Sequence, residues 1–277
     1  MRVERIESLD DPRVAAYRGV RDRNLARREG LFMVEGRYVL RILLGERSLY
    51  RARSVFVTPA ALGALAPLLD PLPDATPVYL AEQGVMNGVV GFNIHRGCLA
   101  AAERADPASL EHVMRRFQPS AGRPLIVLEG LNNHDNIGGI FRAAAAFGAG
   151  AVLLDPACAD PLYRKSIRVS MGGALVVPHV RLDDWPGALN ALEKSGYVSL
   201  ALTPSRDAPD IVDLGDTLRG KGVALLLGAE GTGLSQGAMR AATHRARIAM
   251  RTNLVDSLNV AAACAVALHT FTKGVPT

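Results

Sequence analysis

Three short stretches of this 277-residue chain carry polar residues at spacings that can do chemistry. In LEGLNNHDNIGGIFRAAAAFGA (128–149), a polar loop leads to Asn136, placed as N-cap of a helix over Asn136–Phe147. Ile137, Ile140, Phe141, Ala144 and Gly148 share one face of that helix. Arg142 falls off this apolar stripe, about 140° from Ile137 at about 100° per residue. Gly138 and Gly139 in the first turn each cost about 1 kcal/mol relative to Ala, which makes sense where something approaches the backbone closely. In ALLLGAEGTGLS (224–235), Gly228, Gly231 and Gly233 form a loop whose amides can face a ligand. Glu230 stands between glycines, where a turn has no need of an acid. With no Lys before Ser235, the stretch is not the GxxxxGK[ST] phosphate loop. In RIAMRTNLVDSLNVAAACAVALH (247–269), Asp256 or Ser257 is placed as cap of a helix over Asp256–Thr270, with Asn259 polar in its first turn. Taken singly, each stretch also reads as ordinary structure: a capped helix, a tight turn, a cap.

The segments around these loops alternate between β-branched runs and helical patterns. Ser54–Thr58, Pro77–Leu80 and Gly97–Ala102 read as strands, with helices over Pro59–Leu69 and Glu82–Val90. A short helix, Ser109–Phe117, and a Pro/Gly-rich stretch then mark a boundary, dividing the chain into a domain over 1–105, a linker over 106–122 and a domain over 123–277. In the second domain Leu125–Leu128, Ala151–Leu154, Val176–Val180, Tyr197–Leu202, Val223–Leu227 and Arg247–Met250 read as strands. Helices are predicted between them over Tyr163–Met171, Trp185–Lys194 and Ser235–Ala242. Apolar strands alternating with helices require a mostly parallel sheet covered on both faces, an α/β fold. Such sheets bind ligands beyond the carboxyl ends of their strands, where all three polar loops fall. Val260–Leu268, apolar all round, must be buried in a core or against a second subunit.

The formal net charge is +5, and all of the excess lies in residues 1–53, with thirteen Arg and no Lys against eight acids. Arg18, Arg21, Arg23, Arg27 and Arg28 suit a phosphate backbone, or a solvated helix face. The longest apolar run, Leu258–Leu268, is short of the roughly 20 residues a membrane span needs. The first residues carry no secretory pattern, and Cys98, Cys158 and Cys264 form no CxxC pair. These features favour a reduced, cytoplasmic setting without a disulfide or zinc framework. The six His show no ligand spacing, so no metal site is expected. His134, with a reference pKa near 6.5, reads as a loop residue or a general base.

Together the three stretches resemble the three motifs of the SpoU (TrmH-like) branch of the SPOUT RNA methyltransferases. The matching residues are Asn136, Gly138 and Arg142; Gly228-Ala229-Glu230-Gly231 with Gly233-Leu234; and Ser257-Leu258-Asn259-Val260. Phe32–Gly36 and Ile94–Gly97 look like the ends of the L30e-like substrate domain that many of these enzymes carry. The resemblance implies a trefoil-knotted α/β domain that uses S-adenosylmethionine to methylate a ribose 2′-hydroxyl in RNA, ribosomal RNA before transfer RNA. It also implies a homodimer through the knotted helices and no need of a metal. It places Leu202, Thr203, Gly228, Ile248, Met250, Ser257 and Leu258 around the cofactor. Asn136, Arg142, Glu230, Ser257 and Asn259 would form the catalytic site. Arg142 would orient the hydroxyl, held by Asn136, Ser257 and Asn259, with Glu230 orienting its loop or pairing with Arg142. The chain departs from the family pattern at Asn133-His134, commonly Asp-Pro, and at Ala249, commonly Pro. A Rossmann-type methyltransferase fits poorly, since Glu129-Gly130-Leu131-Asn132 offers one glycine where three are wanted. The same residues would also suit a non-catalytic RNA-binding protein of this fold, or a SPOUT enzyme that methylates a base.

Overall fold

The structure, a computed structural model, describes residues 1–18, 29–94, 96–105, 109–120, 122–252 and 254–273. Arg21, Arg23, Arg27 and Arg28 of the basic segment, and His95, lie outside the described residues. The chain divides into two compact units, one of Met1–Asp106 with Leu162–Val176, the other of Pro107–Pro161 with Val177–Thr277.

The first unit contains β1 (Val3–Arg5), β2 (Leu31–Glu35), α1 (Arg37–Leu43), β3 (Ala52–Val57), α2 (Pro59–Leu69), β4 (Val78–Leu80), α3 (Gln83–Val90) and β5 (Cys98–Glu103). Its five-stranded sheet runs β1-β4-β3-β5-β2. The β1–β4 and β3–β4 pairs are parallel, whereas β5 pairs antiparallel with β3 and β2. Thr58 caps α2 by accepting the Ala61 N–H, and Pro59 fits the first turn because its missing N–H has no partner there in any helix. Tyr17, Met33, Phe56, Met86 and Leu99 form the core of this unit.

The second unit contains α4 (Leu110–Arg116), β6 (Leu125–Glu129), α5 (His134–Phe147) and β7 (Val152–Leu154). After α6 (Arg164–Val169), which belongs to the first unit, come β8 (His179–Arg181), α7 (Ala188–Lys194), β9 (Val198–Leu202), α8 (Ile211–Thr217), β10 (Val223–Gly228), α9 (Gln236–Ala241), β11 (His244–Ala246) and α10 (Val260–Thr272). The sheet has six strands in the order β11-β9-β10-β6-β7-β8, and every pairing is parallel. The inner strands β6 and β10 are almost wholly buried, as apolar runs covered on both faces require. The helix inside the stretch read as a linker packs here, with Val113 buried beside Leu125, Leu189 and Tyr197.

Several boundaries differ from the sequence reading: Leu162–Val176, read as part of the domain over 123–277, belongs to the first unit, the strand read at Val176–Val180 is His179–Arg181, and three differences fall at the polar loops. Helix α5 starts at His134 and is capped by Asn133, whose side chain accepts the Asp135 N–H, so Asn136 lies in the first turn and is not the cap. Helix α10 starts at Val260 with Asn259 as its cap; neither Asp256 nor Ser257 caps it. The last strand is His244–Ala246; of the predicted Arg247–Met250, Arg247 forms an isolated parallel bridge with Asp210 and the remaining three residues are irregular chain.

Candidate active site

Helices α5 and α10 lie side by side and point the same way. A Cβ built on Gly139 would stand 2.7 Å from the Cβ of Ala261. Eight residues further along both helices, the rings of Phe147 and His269 meet at 5.9 Å. Gly139, in the second turn of α5, is therefore needed for helix packing. Gly139 is five residues into α5 and Ala261 one residue into α10, so α10 begins about one turn further along, near the level of Asn136, and both positively polarised N-termini lie at the same end of the pair.

Asn259 joins them. Its Oδ1 accepts the N–H groups of Ala261 at 2.9 Å and Ala262 at 3.4 Å. Its Nδ2 donates to Asn136 Oδ1 at 2.9 Å and to Glu230 Oε1 at 2.9 Å. The side-chain amide of Asn259 is thereby fully used. Asn136 is 6% exposed and Glu230 is exposed, so the network runs from the core to the surface at the carboxyl edge of the sheet. Asn136 Nδ2 and Glu230 Oε2 remain as a donor and an acceptor with no partner among the described residues.

The loop carrying Glu230 is tightly closed. Gly233 donates to the Ala229 carbonyl at 2.9 Å, and a Cβ on Gly228 would come within 2.2 Å of the Gly233 carbonyl carbon. Glu129 at the end of β6 accepts the Ser235 N–H at 2.7 Å and the Trp185 indole N–H at 2.6 Å. The sequence reading assigned no role to Glu129 or Trp185. The available signal was an acid ending an otherwise apolar strand.

Three of the five predicted catalytic residues, Asn136, Glu230 and Asn259, therefore converge. Arg142 and Ser257 are exposed and make no hydrogen bond or ion pair with any described residue. The expected Glu230–Arg142 pair gives way to Glu230–Asn259, and Asn136 and Asn259 bond each other without holding Arg142. Helix geometry explains this: Arg142 lies about 9 Å along α5 from Asn136 and about 120° around it.

Of the predicted cofactor residues, Ile248 and Met250 line a cavity of about 400 Å³ with Pro204, Arg206, Val255 and Asp256. The backbone groups of Ile248 to Met250 make no hydrogen bond to any described residue and are thus available to a ligand. Leu202 ends β9, and Thr203 follows it just before Pro204, its N–H held by the Ala246 carbonyl at 2.9 Å. Gly228 ends the neighbouring strand β10; Ser257 and Leu258 lie in the exposed segment before α10. None of Leu202, Thr203, Gly228, Ser257 and Leu258 lines the cavity itself. A larger cavity, about 650 Å³, lies in the first unit and contains none of the predicted residues. Its Arg2 and Arg13 are already paired with Glu4. Among the described residues no cluster of three or more His, Cys, Asp or Glu could hold a metal, and no helix is long and apolar enough to cross a membrane.

A parallel sheet whose carboxyl edge gathers polar side chains and a cavity defines an α/β protein with a ligand site at that edge. Residues 123–269 match the family described as SpoU rRNA Methylase. An uncharacterized tRNA/rRNA methyltransferase of Mycobacterium tuberculosis is 40% identical over 273 residues, covering 95% of this chain and 90% of that protein. The 23S rRNA (guanosine-2′-O-)-methyltransferase RlmB of Coxiella burnetii is 30% identical over 184 residues, 63% of this chain and 68% of that protein. An AdoMet-bound rRNA methyltransferase from Sinorhizobium meliloti shares the fold, with a TM-score of 0.81 and 22% identity over 99% of both chains. The chain belongs to the SpoU rRNA Methylase family and is an RNA methyltransferase.

Proposed function

We propose that this chain transfers the methyl group of S-adenosylmethionine to a ribose 2′-hydroxyl of structured RNA, ribosomal RNA before transfer RNA. The observation that carries the reading is the bond set of Asn259 with Asn136 and Glu230, which ties together all three polar loops. The name of the Coxiella relative supports ribose as the site and ribosomal RNA as the substrate.

The cavity fits the cofactor: its volume of about 400 Å³ is in the range of small-molecule sites, and it combines the apolar Pro204, Ile248, Met250 and Val255 with the charged Arg206, Arg247 and Asp256, which suits a ligand that carries both charge and an aromatic base. Ile248 and Met250 hold the adenosine part, with Leu202, Thr203, Gly228, Ser257 and Leu258 at its edges. When bound, S-adenosylmethionine supplies a methyl group already activated by its sulfonium. The protein's task is alignment of the hydroxyl and removal of its proton. Asn136 Nδ2 and Glu230 Oε2 hold the ribose, and Arg142 stabilises the developing alkoxide. The arginine-rich first unit grips the RNA backbone.

A homodimer in the cytoplasm completes the reading. Its interface covers Leu254, Leu258 and Val266, which are among the large apolar side chains that one chain leaves exposed. Calorimetric titration with S-adenosylmethionine, followed by ribose-methylation mapping of total RNA with and without the gene, tests the proposal. The expected result is saturable cofactor binding and the loss of a 2′-O-methyl mark. Absence of cofactor heat, or a lost mark on a base, overturns it.

A further inference from the structure

The geometry points to Glu129 as a positioning residue that holds the Gly228–Ser235 loop in its working shape. This rests on the methyl-transfer reading above. Glu129 ends β6, and in the parallel ladder its register partner is Gly228, where β10 gives way to the loop. Its Oε2 accepts the N–H of Ser235, the cap of α9, at 2.7 Å. One residue thus grips both ends of the loop. Between those ends the chain is drawn shut by the Gly233-to-Ala229 hydrogen bond, and from it Glu230 reaches Asn259. The second carboxylate oxygen accepts the indole N–H of Trp185 at 2.6 Å.

Glu129 therefore couples segments 56 and 106 residues away in the sequence. Both bonds have an anionic acceptor and are short, the stronger class of hydrogen bond. Glutamine cannot reproduce the arrangement, because it has one acceptor oxygen and its amide would present N–H to N–H. The carboxylate touches neither of the substrate-facing atoms, Asn136 Nδ2 and Glu230 Oε2; it acts through the loop.

The test compares the full-length wild type with Glu129→Gln. Cofactor affinity is read by calorimetry with S-adenosylmethionine, and methyl transfer with RNA extracted from cells lacking the gene. For a folded Glu129→Gln, the cofactor dissociation constant is expected to rise about tenfold, the effect of one lost charge-assisted bond. The KM for RNA stays unchanged. The emission of Trp185, the sole tryptophan, follows the cofactor titration in the wild type and no longer does so in the variant. A variant that binds cofactor within about twofold of the wild type overturns the role of Glu129. So does an RNA KM that shifts in step with cofactor affinity. If Glu129→Gln fails to fold, Trp185→Phe removes one donor and keeps the carboxylate; a cofactor constant raised about threefold is expected, and no change overturns the proposal. A wild type that gives no cofactor signal overturns the methyl-transfer reading itself. A binding wild type with an unaffected variant overturns only the part played by Glu129.

Discussion

Each unit of this protein contains a three-membered hydrogen-bonded node, and the two nodes differ in what they leave over. In the first unit Tyr17 and Ser54 share a hydrogen bond of 2.7 Å, and the Tyr17 hydroxyl accepts the Ala101 N–H at 3.2 Å. Burial holds the Tyr17 hydroxyl well above its ordinary pKa, so it stays neutral. The node is buried against Val14, Phe56 and Leu99, with Ser54 and Ala101 backing onto the larger cavity. In the second unit Asn136, Asn259 and Glu230 sit at the edge of a sheet, with a donor and an acceptor to spare. A polar node buried in a core serves the fold. One that reaches the carboxyl edge of a parallel sheet with hydrogen-bonding capacity left can serve a substrate.

The sharpest way to break this contrast is Asn259→Ala. It removes both side-chain bonds of the open node, and turnover is expected to fall about 100-fold or more in single-turnover methyl transfer. The lost cap costs about 1 kcal/mol in chemical denaturation, too little to explain such a loss. Next comes Gly139→Ala, whose new methyl meets Ala261 at 2.7 Å. Overpacking of about 1–3 kcal/mol is expected, with slower turnover as α5 and α10 part. The pair Gly139→Ala with Ala261→Gly should recover both, measured by thermal unfolding and rate. In the closed node, Tyr17→Phe strands the Ala101 N–H and should cost about 1–3 kcal/mol while S-adenosylmethionine affinity stays unchanged. The contrast fails if cofactor affinity falls with it.

The smallest effect concerns the three cysteines. Burial pushes the Cys98 thiol up to about 11 and those of Cys158 and Cys264 up to about 12, with Asp155 adding to the shift at Cys158. At pH 8 all three stay thiols in the native protein, and iodoacetamide should label none until it unfolds. Rapid native labelling of Cys264 would show that α10 opens.

Much of this architecture can be read from the sequence wherever pattern and cap agree. Pro59–Leu69 is found with the predicted bounds, because Thr58 and Pro59 announce its start and its apolar positions continue to Leu69. Ser109 and Phe117, predicted as the limits of a helix, flank α4 as its caps. β11 escapes the pattern because His244-Arg245-Ala246 is a short, charged edge strand with only Ala246 buried. The more strand-like Ile248 and Met250 instead wall the cavity. Asn133, Asp135 and Asn136 are all cap-type residues, and nothing local says which one caps α5. The family motifs singled out the site residues. That Glu230 bonds Asn259 and not Arg142 depends on how α5 and α10 pack, which spacing along one helix does not contain. Glu129, Trp185 and Ser235 lie too far apart in the chain for any local pattern to link them.

The segment Leu162–Val176 has a consequence for how this molecule is made. Leu175 accepts the Leu49 N–H at 2.9 Å, and a Cβ on Gly172 would stand 2.6 Å from the Ile42 side chain, at a positive φ that favours glycine anyway. A chain emerging from the ribosome therefore cannot finish its first unit when Asp106 appears; it must wait until Val176, with β6, α5 and β7 already synthesised. No single proteolytic cut can release either unit whole, and a fragment ending near residue 106 would present an unfinished surface around Ile42 and Leu49.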